Sequence, residues 1–232
     1  MNEKTSTTAT IKVTANGPYM VSGKLPLAKH IIGTNAAGDS VAWSEGEKYP
    51  TKAQYALCRC GHSAHKPFCD ATHAKIGFDG TETASRKSYV EQAKVMRGPT
   101  MSLTDAESLC AFGRFCDPNG SVWNLVGETD HPTAHKHFVQ QTCDCPSGRL
   151  VAWDNATGEA MEPRYEPSIG LIEDPAQGCS GPLWVRGGVQ VIGADGFAYE
   201  VRNRVTLCRC GASSNKPFCD GSHASIGFSD ER

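Results

Sequence analysis

The chain has 232 residues, 39% of them hydrophobic, with 24 glycines, 13 prolines and 11 cysteines. A formal charge of −2, with lysine and arginine scattered and not clustered, lacks the basic footprint of a nucleic-acid-binding protein. No apolar run approaches the roughly 18 residues of a membrane span, and the polar start MNEKTSTTAT resembles neither a secretory signal nor a mitochondrial presequence. The expectation is a cytoplasmic protein with no nucleic-acid or membrane partner, in which cysteine clusters serve metal and not disulfides. Abundant Gly and Pro with modest apolar content imply loop-rich modules whose small cores need a staple.

In chain order, residues 1–16 read as a flexible tail. From Gly17 a run of short β-like segments leads to Leu57 and then to CRCGHSAHKPFCDATHAKIGF at 58–78, closing a first module at about residue 80. A different segment follows over 81–178. Thr104-Asp105-Ala106-Glu107 has the capping-box pattern and predicts a helix running toward Cys110. Asp117-Pro118-Asn119-Gly120 predicts a turn, residues 133–142 a helix and Arg149–Trp153 a strand. Residues 179–232 form a last module. There Gly181-Pro182-Leu183-Trp184-Val185-Arg186-Gly187 echoes Gly17-Pro18-Tyr19-Met20-Val21-Ser22-Gly23, and CRCGASSNKPFCDGSHASIGF at 208–228 repeats the first motif with 15 of 21 positions identical.

Each repeat offers two thiols one residue apart, a third nine residues later and an imidazole four beyond that. These are Cys58, Cys60, Cys69 and His73, then Cys208, Cys210, Cys219 and His223. The Cys-x-Cys pair can chelate one iron from a single loop. The i, i+4 spacing of the last two donors puts them on one face of a helix turn, where they can share a second iron. Asp70 and Asp220 stand where a carboxylate could cap that turn, and Pro67 and Pro217 stiffen the loop. Spacing alone leaves zinc open, since structural zinc also takes three cysteines and a histidine, usually from a wider Cys-x2–4-Cys knuckle.

Both repeats resemble the CDGSH iron–sulfur, or mitoNEET-like, motif C-x-C-x2-S-x3-P-x-C-D-G-S-H. The second matches throughout, while the first has Ala71 for Gly and Thr72 for Ser, so Ala71 is expected to exclude a glycine-only backbone there. The resemblance implies a [2Fe–2S] cluster in each motif, with the histidine on the outer iron. It also implies a monomer whose two motifs face each other across an intrachain pseudo-two-fold axis. Three thiolates and a neutral imidazole leave an oxidised [2Fe–2S] site at about −1 and not −2, which favours reduction as in Rieske centres. They also make ligation sensitive to protons.

The central segment places Cys110 and Cys116 in a Cys-x5-Cys unit, with Cys145-Pro146-Ser147-Gly148 following. This is similar to divergent mono-cluster ferredoxins and to the three-cysteine pattern of [3Fe–4S] ferredoxins. Gly113 stands where ordinary bacterial ferredoxins carry another cysteine, and Phe112 where many mono-cluster relatives carry a histidine. The ligands implied are Cys110, Cys116 and Cys145 for a [3Fe–4S] cluster, or those three with Cys143 for a [4Fe–4S] cluster. Cys179 is expected to be a free cysteine.

The fold class that follows is α+β and β-rich: two small CDGSH β-modules forming an intrachain pseudo-dimer, with a ferredoxin-like α+β insertion between them. The expected function is single-electron transfer with a redox partner protein. The alternative is cluster transfer to an apo-acceptor, or redox and pH sensing. No Rossmann fingerprint, nucleophile elbow or flavin motif marks the chain as an enzyme in its own right, so it is expected to be a carrier or a component of an oxidoreductase system.

Overall fold

Apolar side chains at every second position of Thr10–Val13 put Ile11 and Val13 in the core and make this segment a strand, β1. The computed structural model describes residues 9–230, so the part of the expected tail at 1–8 lies outside the described residues, while the part from Thr10 is corrected to sheet. β2 (Tyr19–Ser22), β3 (Leu27–Thr34), β4 (Ser40–Tyr49) and β5 (Gln54–Leu57) complete the first outer unit, with a one-turn helix α1 (Thr72–Lys75) after its motif.

The central unit holds α2 (Tyr89–Gln92), then β6 (Lys94–Arg97) and β7 (Met101–Asp105). α3 (Val122–Leu125), α4 (Pro132–Asp144), β8 (Leu150–Asp154) and β9 (Ala160–Met161) follow. Its antiparallel sheet runs β6-β7-β8-β9. The expected helix, turn and strand are found at α4, at the Gly120 N–H to Asp117 carbonyl bond of 3.1 Å, and at β8. The helix expected from Thr104 is not. Thr104 and Asp105 end a fully buried strand, and only a 3-10 turn follows at Glu107–Leu109. Tertiary bonds claim the capping groups: Thr104 Oγ1 meets the Tyr89 hydroxyl at 2.8 Å and accepts from Trp153 Nε1 at 2.8 Å, while Asp105 binds Arg149 at 2.6 and 2.9 Å.

The second outer unit comprises β10 (Ser168–Asp174), β11 (Cys179–Arg186), β12 (Gln190–Ile192), β13 (Arg204–Leu207) and the one-turn helix α5 (Ser222–Ser225). β10 was expected in the central segment, but it pairs antiparallel with β11 and parallel with β3, so it belongs to the outer body. Two sheets result, β12-β1-β2-β5 and β13-β11-β10-β3-β4. Equivalent pairings recur in them: Tyr19 opposite Leu57 in one and Leu183 opposite Leu207 in the other. Each half also lends the other a strand, since β3 runs parallel to β10 and β12 runs parallel to β1. The duplicated halves therefore form an intrachain pseudo-dimer around one core, which includes Ile11, Leu57, Leu171, Leu183, Val191 and Leu207. Burying each such aliphatic side chain contributes about 1.5–3 kcal/mol.

The central unit docks on the second sheet. Phe115 stacks on Trp43 at 4.7 Å between centroids, and the Arg114 guanidinium holds Asp174 at 2.6 and 2.8 Å. Buried Arg204 donates to the carbonyls of Thr142 (2.9 Å) and Cys145 (2.7 Å), satisfying orphan groups at the α4 C-terminus. Among the described residues no helix is long and apolar enough to cross a membrane.

His30, 6% exposed on β3, lies edge-on to Trp184 and 3.0 Å from Arg186 Nη2. Burial, and then the Arg186 charge, push its pKa down to about 4, with Glu45 opposing weakly. Between about pH 6.5 and 4 the unfolded chain therefore binds the proton that the native state refuses, so this contribution is present above 6.5 and lost on acidification. Allowing for solvent screening it amounts to roughly 2 kcal/mol. In unfolding scans at pH 7 and pH 5, His30→Gln should lose less stability on acidification than the wild type.

Candidate metal centres

The two repeated motifs fold alike. Each Cys-x-Cys leaves a strand end and is pinned by its own loop: Cys58 N–H donates to Pro67 O (2.8 Å) and Cys69 N–H to Ala56 O (3.0 Å), with Cys208 to Pro217 (2.9 Å) and Cys219 to Thr206 (2.9 Å) in the second copy. Ser63 and Ser213 hydroxyls cross the loops to Phe68 O and Phe218 O, both at 2.7 Å. The peptide bonds before Pro67 and Pro217 are cis. Lys66 and Lys216 turn onto their own loops, with Nζ on Ser63 O (3.0 Å) and Ser213 O (2.7 Å).

The Asp70 carboxylate accepts from Thr72 N–H (3.0 Å) and Ala64 N–H (2.8 Å), and these bonds, with that of the Thr72 hydroxyl foremost, hold its pKa well below the usual range. Burial opposes the same effect at Asp220, but bonds from Ser214 and Ser222 still hold it down to about 2.

The donors gather as two pairs in each motif. Sγ of Cys58 and Cys60 are 3.8 Å apart, and Cys69 Sγ is 3.4 Å from His73 Nδ1. In the second motif Cys208 and Cys210 are 3.7 Å apart and Cys219 Sγ is 3.4 Å from His223 Nδ1. A tetrahedral metal with bonds of ~2.3 Å to sulfur and ~2.0 Å to nitrogen sets two thiolates ~3.8 Å apart, and a thiolate and an imidazole nitrogen ~3.5 Å apart. Each pair thus has the span of two ligands on one metal, with Nδ1 the nitrogen that lies toward the thiol. Among the described residues no three His, Cys, Asp or Glu side chains converge as on a single ion.

The two Cys-x-Cys loops meet at the pseudo-axis. A Cβ on Gly61 (φ +80°) would lie 2.5 Å from Cys210 O, and one on Gly211 (φ +84°) 2.6 Å from Cys60 O, so glycine is required at both. Tyr19 of the first half bonds Cys208 O (2.7 Å) and Pro217 O (3.0 Å) of the second.

The outer ends differ. His223 is 4% exposed, whereas His73 is half-buried on a helix with no buried residue. Ala71 takes the left-handed conformation that Gly221 takes, at φ +68° against +88°, so the motif geometry survives without glycine and the backbone carries the strain instead. Ala71→Gly should raise the unfolding free energy by about 0.5–1 kcal/mol, the left-handed penalty less the added chain entropy, in a denaturant titration.

The third group forms at the central unit. Cys110, Cys116 and Cys145 line one small concavity with Phe112, Arg114 and Arg149. Phe112 (φ +54°) and Arg114 (φ +58°) are left-handed, so the chain turns sharply between Cys110 and Cys116 where it borders the hollow. Cys143 does not join them. On α4 its Sγ faces Met161 O at 3.3 Å, and among the described residues no His, Asp or Glu lines the hollow. Cys179 is buried at the start of β11.

Buried arginines accompany both donor sets, though they are not themselves metal ligands. Arg59 and Arg209, the middle residues of the two Cys-Arg-Cys units, are each 2% exposed. Their identity in both repeats was the available signal.

A family model described as iron-binding zinc finger, CDGSH type, matches residues 16–74 and 180–224, and one described as divergent 4Fe-4S mono-cluster matches residues 96–155. No curated protein and no solved structure matches the chain.

Proposed function

We propose that this iron–sulfur protein, in which two CDGSH-type regions flank a divergent 4Fe-4S mono-cluster region, is a single-electron carrier with three clusters. Cys58, Cys60, Cys69 and His73 would hold one [2Fe–2S] cluster and Cys208, Cys210, Cys219 and His223 another. Cys110, Cys116 and Cys145 would hold the third, either [3Fe–4S], or [4Fe–4S] with its last iron on a donor that is not cysteine. The observation that carries the reading is the juxtaposition of donor groups: the two Cys-x-Cys loops touch at Gly61 and Gly211, and the central loop lies against the second motif at Gly221. Bound clusters supply delocalised one-electron chemistry. The chain contributes thiolates and neutral imidazoles, fixes their spacing, and screens the inner donors from water.

Iron and acid-labile sulfide analysis with EPR of anaerobically purified protein tests this. The expected content is about seven or eight irons per chain, with two [2Fe–2S] signals on reduction. A third signal present in the oxidised protein marks [3Fe–4S], and one present only after reduction marks [4Fe–4S]. Zinc in both repeated motifs would sink the proposal. Cluster donation is a second reading, favoured at the first motif by the exposure of α1, and delivery of iron and sulfide to an apo-ferredoxin would support it.

A further inference from the structure

The three donor groups lie in a fixed order. The central loop seats on the outer end of the second motif: Cys110 O and the Phe112 Cβ lie 3.4 Å from where a Cβ on Gly221 would stand, and Asn215 Nδ2 donates to Ser108 O at 2.8 Å. The inner end of the second motif touches the inner end of the first through Gly61 and Gly211. The outer end of the first, at His73, faces solvent. The sequence of sites is therefore central, second, first.

The pseudo-symmetry of the outer sites fails in charge. Buried Arg209 donates to Glu173 Oε1 at 2.8 Å and pairs with Asp230, so two carboxylates face one guanidinium. Buried Arg59 makes no ion pair among the described residues: it donates to the carbonyls of Thr14 (3.2 Å) and Gly80 and lies over the rings of Tyr19 and Phe78. Gly80 is the repeat counterpart of Asp230, and a Cβ there would come within 2.5 Å of Arg59 Nη1. The neighbouring Asp79 is exposed and turned onto Thr81 at 2.7 and 2.9 Å. Among the described residues the arginine of the first Cys-Arg-Cys unit thus touches no carboxylate, whereas that of the second touches two. In a low-dielectric interior such a difference acts directly on the charge gained by reduction.

Resting on the electron-carrier reading, we propose that Arg59 makes the Cys58/Cys60/Cys69/His73 site the higher-potential one of the pair, so that an electron arriving from the central cysteines passes the second motif and comes to rest at the solvent-facing first. Moving one electron from second to first oxidises one site and reduces the other by a single electron, with no bond made or broken.

The test is an EPR-monitored potentiometric titration of the anaerobically purified full chain, with dithionite as reductant. Spectra of His73→Cys and His223→Cys tell the two signals apart. The first site should hold the electron in at least tenfold excess when one has been added to the pair, a separation of about 59 mV or more. Glu173→Gln with Asp230→Asn removes both charges at constant shape and should raise the second potential, narrowing the gap, while the first stays put. Should that pair fail to fold, Gly80→Asp, which meets only the Arg59 tip and the Phe78 ring edge, should lower the first potential. A second site that reduces first, or a gap that neither change moves, overturns this inference and leaves the carrier reading standing. Clusters that cannot be cycled reversibly overturn both.

Discussion

Cys145→Ser should abolish the central cluster, lowering the iron content by about three or four atoms per chain, while Cys143→Ser leaves both content and EPR signal unchanged. Cys145 lines the hollow with Cys110 and Cys116, whereas Cys143 Sγ is committed to Met161 O. The stability effects should diverge as well. Cys145 and Cys116 pack against the core of Met101, Leu103, Phe138 and Leu150, so a cluster bound there contributes to the folding of the whole central unit. Loss of several kcal/mol is expected for Cys145→Ser and less than about 1 kcal/mol for Cys143→Ser. A Cys143→Ser protein without the central signal would refute the three-cysteine assignment.

Acid should bleach the two CDGSH sites in two separate phases. Only a neutral imidazole can hold iron, so ligation is lost as the proton competes for the ring. Burial, and then the Arg209 charge, push the pKa of His223 down to about 4 against the opposing pull of Asp220. At pH values well above 6.5 it therefore carries a protonated fraction roughly 300-fold smaller than an ordinary histidine titrating near 6.5, and the ratio shrinks as the pH falls. Acidification must approach pH 4 before the fold ceases to favour the neutral ligand. His73 is half-buried, on a helix turn with no buried residue, so its end of the site is more open to solvent than that of His223. In visible absorbance followed from pH 7 to pH 4, the faster phase should belong to the first site and disappear in His73→Cys. His223→Cys should remove the slower phase instead. Reversal of those assignments, or a single phase in the native protein, would show that burial does not control release.

The donor sets of the outer sites could be read from the sequence because local spacing encodes them. A Cys-x-Cys pair and an i, i+4 Cys–His pair each come from one short segment, and the duplication marked both. The strand exchange could not be read that way. Nothing in Gln190-Val191-Ile192 specifies that it pairs with Thr10–Lys12 instead of its own hairpin, since parallel partners are chosen by the assembled core. The same gap put β1 in a tail, although Ile11 and Val13 alternate as a half-buried strand requires. At Thr104–Glu107 a correct local signal was outbid by the Asp105–Arg149 ion pair and the Tyr89 hydroxyl. Ala71 shows the opposite error: the left-handed region is costly for alanine but open to it. Charge compensation at Arg209 arises from Glu173 and Asp230, which lie 36 and 21 positions away, so no motif reveals it.

The crossed strands also set a timetable for biosynthesis. The sheet that carries the first motif is closed by β12, about 180 positions after β1, so a chain still emerging from the ribosome displays β1 as a bare edge until those residues have been made. The Cys60–Gly61 turn likewise finds its counterpart only when Cys210–Gly211 arrives. Contacts of such sequence separation make for late, slow closure. The first motif, though earliest in the chain, should gain its mature shelter together with the last, which places iron loading after translation and makes nascent or truncated chains the forms most exposed to metal exchange and aggregation.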